Sequence, residues 1–123
     1  MHLQSIRLCV AEIEKVADFY QNLTGVTPER PAPGFAVFNF GAMQLALSDE
    51  ALIQRFNAGV VSAGGNAGAI IEFMVDDVDS VRAGLAADVT VAMEPADMPW
   101  GNRSMLLRDP DGNAVNVFSR PKG

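Results

Sequence analysis

One histidine and one cysteine, His2 and Cys9, are all this 123-residue chain holds of those two residue types. A serine–histidine or cysteine–histidine catalytic pair therefore has no histidine to use away from the terminus. A lone thiol excludes an internal disulfide, which suits a reducing compartment. No apolar run reaches the roughly 20 residues that carry a helix across a bilayer. Positive charge is scarce: nine Lys and Arg stand against fifteen Asp and Glu, for a net charge of −6. Nucleic-acid binding draws most of its affinity from a basic patch, so that partner class is not expected. The opening Met1–Arg7 has none of the basic, apolar and small-residue regions of a signal peptide, and a cytoplasmic location is expected. Glycine is present, but Gly64-Gly65 precedes a strand pattern rather than opening a helix, so no phosphate-cradling loop is read there.

What the chain does have is a repeat. The run Ile6-Arg7-Leu8-Cys9-Val10-Ala11-Glu12-Ile13-Glu14-Lys15-Val16 returns as Ile71-Glu72-Phe73-Met74-Val75-Asp76-Asp77-Val78-Asp79-Ser80-Val81. A repeat sets architecture before any single residue does. It implies two like modules within one domain, about 1–48 and 69–120, joined by a connector of about 49–68. The surface between them is where a ligand would bind.

Each module reads as β-α-β-β-β. In the first, Ile6, Leu8 and Val10 alternate with Ser5, Arg7 and Cys9, the period of a half-buried strand. Ile13, Val16, Ala17, Tyr20 and Leu23 form a helical stripe that ends at Gly25. A short extended piece spans 27–32. Phe35–Phe40 and Met43–Ser48 then flank Gly41-Ala42 as a tight hairpin. In the second, Ile70–Val75 is a strand and Asp77 a helix N-cap. Val78, Val81 and Leu85 make the stripe, and Val89–Met93 a strand. A loop with Pro95, Pro99 and Gly101 leads to strands over 103–108 and 113–119, turned by Asp109-Pro110-Asp111-Gly112. Asp49–Asn57 is a short helix, and 59–68 is a glycine-rich connector. The fold class is α+β, with eight main strands in a curved mixed sheet around a cleft.

Strand parity assigns faces. Ile6, Leu8, Val10, Phe38 and Leu45 face the helix in module one; Ile71, Phe73, Val75, Val115 and Val117 do so in module two. The opposite face carries Ser5, Arg7, Cys9, Phe35, Val37, Asn39, Gln44, Ala46, Ser48, Ile70, Glu72, Met74, Met105, Asn116 and Phe118. An apolar wall with a few polar groups fits a small-ligand cleft, and it equally fits a subunit interface.

Several residues on that wall admit two readings. Arg7 and Glu72 occupy equivalent places in the repeat with opposite charges: they bracket a polar ligand, or they form an ion pair across the junction. Trp100 stacks on a planar ligand or plugs the end of the sheet. Met43, Met74, Met93, Met98 and Met105 line an adaptable pocket or fill core. Gln44 and Asn116 are neutral amides able to orient a ligand. Cys9 reads as a small buried hydrophobe, and Asp109 and Asp111 as turn residues.

Taken together, Leu8-x-Val10-x-Glu12-Ile13-Glu14-Lys15 with Phe19-Tyr20, then Phe73-x-Val75-Asp76-Asp77-Val78, then Pro99-Trp100-Gly101-Asn102-Arg103 and Asp109-Pro110-Asp111-Gly112-Asn113 resemble the vicinal oxygen chelate superfamily. That group contains glyoxalase I, extradiol dioxygenases, and fosfomycin- and bleomycin-resistance proteins. Its enzymes hold a divalent metal with four side chains, typically His, Glu, His or Gln, and Glu. The resemblance places those positions at Ser5, Ala46, Ile70 and Asn116. Alanine and isoleucine offer no donor, and serine and asparagine are poor ones for a transition metal. The resemblance therefore implies a metal-free, cofactor-free homodimer of the bleomycin-resistance kind, which sequesters a small molecule without changing it. The expected ligand contacts are Arg7, Phe35, Gln44, Glu72, Met74, Trp100, Met105, Asn116 and Phe118. A metal-dependent lyase, isomerase or dioxygenase, and a non-catalytic interaction module, are the alternatives.

Overall fold

The computed structural model describes residues 1–121 and arranges eight strands among them in two four-stranded sheets. The chain divides into two units, Met1–Ala67 and a second from Gly68 onward.

The first unit runs β1 (Ser5–Val10), α1 (Ile13–Thr24), β2 (Glu29–Ala32), β3 (Phe35–Asn39), β4 (Gln44–Asp49) and α2 (Glu50–Phe56). Its sheet has the order β1-β4-β3-β2, with β1 parallel to β4 and the other pairs antiparallel. The hairpin closes as its residues predict: the Phe40 N–H donates to the Met43 carbonyl at 3.1 Å. That register sets Phe38 against Leu45. Val10, Ala36, Phe38 and Leu47 are fully buried beneath Val16, Ala17 and Tyr20 of α1. Tyr20 meets Phe38 edge to face at 6.1 Å. No side chain caps the start of α1, so its stability comes from this apolar stripe. It ends at Gly25 with φ of 74°, a left-handed residue that only glycine adopts without cost. Asp49 caps α2 by accepting from the Leu52 N–H at 2.9 Å.

The second unit repeats this topology with β5 (Ile70–Met74), α3 (Val78–Ala83), β6 (Thr90–Asp97), β7 (Arg103–Arg108) and β8 (Ala114–Ser119), in the order β5-β8-β7-β6. Asp77 caps α3 as expected, accepting from the Asp79 and Ser80 N–H groups. The helix is short and ends before Leu85. Val78 is its fully buried member. The core is Met105, Leu107, Val115 and Val117. In the β7–β8 turn, Asp109 is buried and accepts from the Asp111 and Asn113 N–H groups at 2.9 Å and from Asn113 Nδ2 at 2.8 Å. Its turn role is structural, since those bonds satisfy donors that chain reversal would orphan.

Two expectations about β6 and β7 need correction. Strand β6 continues through Pro95 to Asp97, where a loop was expected. It lies at the edge of its sheet, where a residue without an N–H is tolerated. Met105 pairs with Val117 and is fully buried on the α3 side. It is a core residue and not part of the opposite face; Ser104 and Leu106 occupy that face instead.

Arginines fasten α3 to β6 and β7. Arg103 Nε donates to Asp79 at 2.8 Å, its Nη1 bonds Asp97 at 3.1 Å, and Arg82 Nε bonds Glu94 at 2.6 Å. The hydrogen bond from Arg103 holds the Asp79 carboxyl below its ordinary pKa, and that from Arg82 does the same for Glu94. A depressed folded-state pKa adds stability above the unfolded value, and that stability is lost as pH falls through the folded value. The second unit should therefore lose stability as pH drops below about 4, the ordinary carboxylate range. Thermal unfolding followed against pH checks this: the double variant Asp79→Asn, Glu94→Gln should show a flatter acid limb than the parent.

Candidate functional site

In each unit one face of the sheet is turned away from the long or capping helix, and those far faces carry the candidate residues. In the first unit, β4 is central and its small residues Ala46 and Ser48 form the floor of the face. The register places Arg7 beside Ala46, Cys9 beside Ser48, and Phe35 on the other side of Ser48. Arg7 reaches across this floor, so that its guanidinium carbon stands 5.7 Å from the centre of the Phe35 ring. Two strand spacings separate β1 from β3, about 10 Å. Small side chains on β4 are what let the arginine lie across it. Arg7 Nη2 also donates to Asn57 Oδ1 at 2.9 Å, which brings the end of α2 to the same face. Gln44 is half-buried at the start of β4, paired with Ser5 and Asn39.

In the second unit, Glu72 lies beside Asn116, and Asn116 Nδ2 donates to its carboxylate at 2.9 Å. Asn116 Oδ1 is buried with no partner. Met74 pairs with Phe118, and Phe118 with Ser104. Ile70 and Met74 are 57% and 60% exposed, unusually open for large apolar side chains on a strand. Trp100, 71% exposed, stands apart from these strands at the tip of the β6–β7 hairpin. That tip is closed by Met98 N–H to Asn102 carbonyl at 2.7 Å.

The structure thus groups Arg7 with Phe35, and Glu72 with Asn116, Met74 and Phe118. It removes Met105. Within their own units Arg7 bonds Asn57 and Glu72 bonds Asn116. Two participants escaped notice. Asn57 lies 50 residues from Arg7, and only the fold joins them. Ser48 pairs with Phe35 on the face that parity assigns to both and is fully buried there, which parity alone does not give.

The two module-wise pairs that the resemblance assigns to a metal are geometrically equivalent. Ser5 faces Gln44 while Ala46 faces Arg7; Ile70 faces Ala114 while Asn116 faces Glu72. Each pair therefore sits as diagonal neighbours on adjacent strands. Their side chains do not fit a transition-metal site: two have no donor atom, and Asn116 uses its amide on Glu72. Among the described residues, no three His, Cys, Asp or Glu side chains come together in a way that would hold a metal ion. No helix is long and apolar enough to cross a membrane.

Residues 2–117 match the family model of the Glyoxalase/Bleomycin resistance protein/Dioxygenase superfamily. A glyoxalase/bleomycin resistance protein/dioxygenase family enzyme from Burkholderia phytofirmans PsJN superposes with a TM-score of 0.86 at 19% identity, over 98% of this chain and 100% of its own. A glyoxalase/bleomycin resistance protein/dioxygenase from Nocardioides gives 0.77 at 22% identity, over 100% and 85%. A structure from the mobile metagenome of V. Pseudocholerae gives 0.77 at 24%, over 99% and 96%. At these identities the likeness is one of fold. No curated protein matches the chain.

Proposed function

The chain belongs to the Glyoxalase/Bleomycin resistance protein/Dioxygenase superfamily, and from that premise we propose that it binds a small molecule without a metal, as a sequestering protein and not a catalyst. The observation that carries this reading is the residue chemistry at Ser5, Ala46, Ile70 and Asn116. A metal-dependent lyase, isomerase or dioxygenase needs a ring of nitrogen and carboxylate ligands there. This chain presents a hydroxyl, two hydrocarbons and an amide.

What surrounds those positions suits recognition. Phe35, Met74 and Phe118 supply apolar area, and Trp100 a stacking surface. Arg7, Gln44, Glu72 and Asn116 supply the few oriented polar groups that fix a ligand. Exposed Ile70 and Met74 support a homodimer, in which a second copy would cover apolar area left open on one chain. A cytoplasmic site of action is part of the same reading.

Thermal-shift measurements against a panel of aromatic antibiotics and small metabolites test it. Binding raises the unfolding midpoint by mass action. At least one compound should do so, equally before and after dialysis against a chelator. A shift that disappears on chelation, or turnover of the bound compound, would reject the reading.

A further inference from the structure

The far face of the first unit carries Arg7, with Glu29 opposite Val37 on the outer strand, and the fold restrains Arg7 on two sides. Exposed arginines ordinarily keep their long side chains mobile, and ordering one has an entropic cost. Here the guanidinium is hydrogen-bonded to Asn57 at 2.9 Å and lies over the Phe35 ring. Asn57 is itself fixed at the backbone. Its N–H donates to the Ile53 carbonyl at 2.9 Å, and its own carbonyl accepts from Val60 at 3.1 Å. The chain then turns through Ala58 and Gly59 at φ of 57° and 59°. Ala58 is a non-glycine residue in the left-handed region, an uncommon and strained state that the surrounding bonds hold.

Asn57 takes one N–H of a guanidinium that has five. The others have no protein acceptor among the described residues. On the same face Ser48, paired with Phe35, is fully buried and its hydroxyl has no partner. Buried polar groups are nearly always satisfied, so an orphan hydroxyl on the face that an oriented cation crosses asks for an explanation.

We propose that Arg7, Ser48 and Phe35 form a receptor for a carboxylate carried on a flat apolar body. The carboxylate takes the open guanidinium N–H groups in the forked geometry that arginine favours. Entering beneath the side chain, it also accepts from Ser48. The apolar body meets Phe35 and Val37 on the same face. Asn57 is a positioning residue that holds the fork ready. This inference rests on the reading of the far faces as binding surfaces and names the ligand class for one of them.

Benzoate is the probe, with neutral benzamide and cationic benzamidine as controls of like shape. Affinity is read by calorimetry and by the Nε–H resonance of Arg7 on the full chain. Benzoate should bind at least about tenfold more tightly than either control, since a bidentate charged pair is lost in both. Arg7→Gln should abolish that preference, and Arg7→Lys should restore only part of it, because an ammonium has the charge without the fork. Ser48→Ala should weaken benzoate binding several-fold while leaving the unfolding midpoint equal or higher, the opposite of what a structural serine would do. Equal affinity for benzoate and benzamide, or full benzoate binding by Arg7→Gln, overturns the inference. Binding of other panel compounds with no response to benzoate overturns it and leaves the broader binding reading intact. No binding by any compound removes both.

Discussion

Replacing Phe38 with alanine should destabilise the protein by about 3–5 kcal/mol, the range for truncating a buried aromatic. Phe38 is fully buried in β3 and meets Tyr20 of α1 edge to face. Two costs combine. The ring's apolar surface is no longer removed from water, and the close-packed neighbours cannot collapse into the void. Phe38→Leu keeps most of the volume and should cost far less, about 1 kcal/mol. Urea unfolding of the parent and both variants gives the comparison. Equal effects of the two substitutions would mean that Phe38 is not packed between sheet and helix.

The second large effect distinguishes neighbours on one strand. Met105→Ala should cost about 2–5 kcal/mol, because Met105 is fully buried against Val117 on the α3 side. Leu106→Ala should cost clearly less, since Leu106 is half-buried on the far face beside Asn116. The same pair separates stability from binding. If the far face of the second unit holds a ligand, Leu106→Ala should weaken binding with little change in the unfolding midpoint. A larger stability loss at Leu106 than at Met105 would shift the register of β7 by one residue.

That strand also shows where sequence stops being legible. Parity works when polar and apolar residues alternate, as in Ser5–Val10, and the hairpin register followed from pairing Phe40 with Met43. In β7 the run Met105-Leu106-Leu107 does not alternate, so it gives no parity of its own. The faces are set from outside, by the turn at 109–113. Ala114 faces Arg108, and counting outward from there brings Val117 to Met105. That count was available from the sequence once the turn was recognised. Arg103 misleads further, because a charged residue on the helix side looks wrong. Its stem lies along the core side while the guanidinium reaches Asp79 and Asp97 at the edge.

The candidate site was legible in outline and blind in its contacts. Arg7, Phe35, Glu72 and Asn116 were placed on their faces by parity alone. Asn57 had no signal, because a hydrogen bond between a strand and the end of a distant helix has no period. The repeat made Arg7 and Glu72 look like partners, since equivalent positions with opposite charges invite pairing. Parity gave no sign of the amide that stands within hydrogen-bonding distance of each inside its own unit.

On the proposed reading Ser5, Ala46, Ile70 and Asn116 hold no metal. Elemental analysis of protein purified without a metal-affinity step, referred to chain concentration, tests it most directly. Transition metal should stand far below one equivalent per chain, with no gain after incubation with zinc, manganese, iron or nickel and desalting. One tightly held equivalent, lost on substituting Ser5 or Asn116, would contradict it.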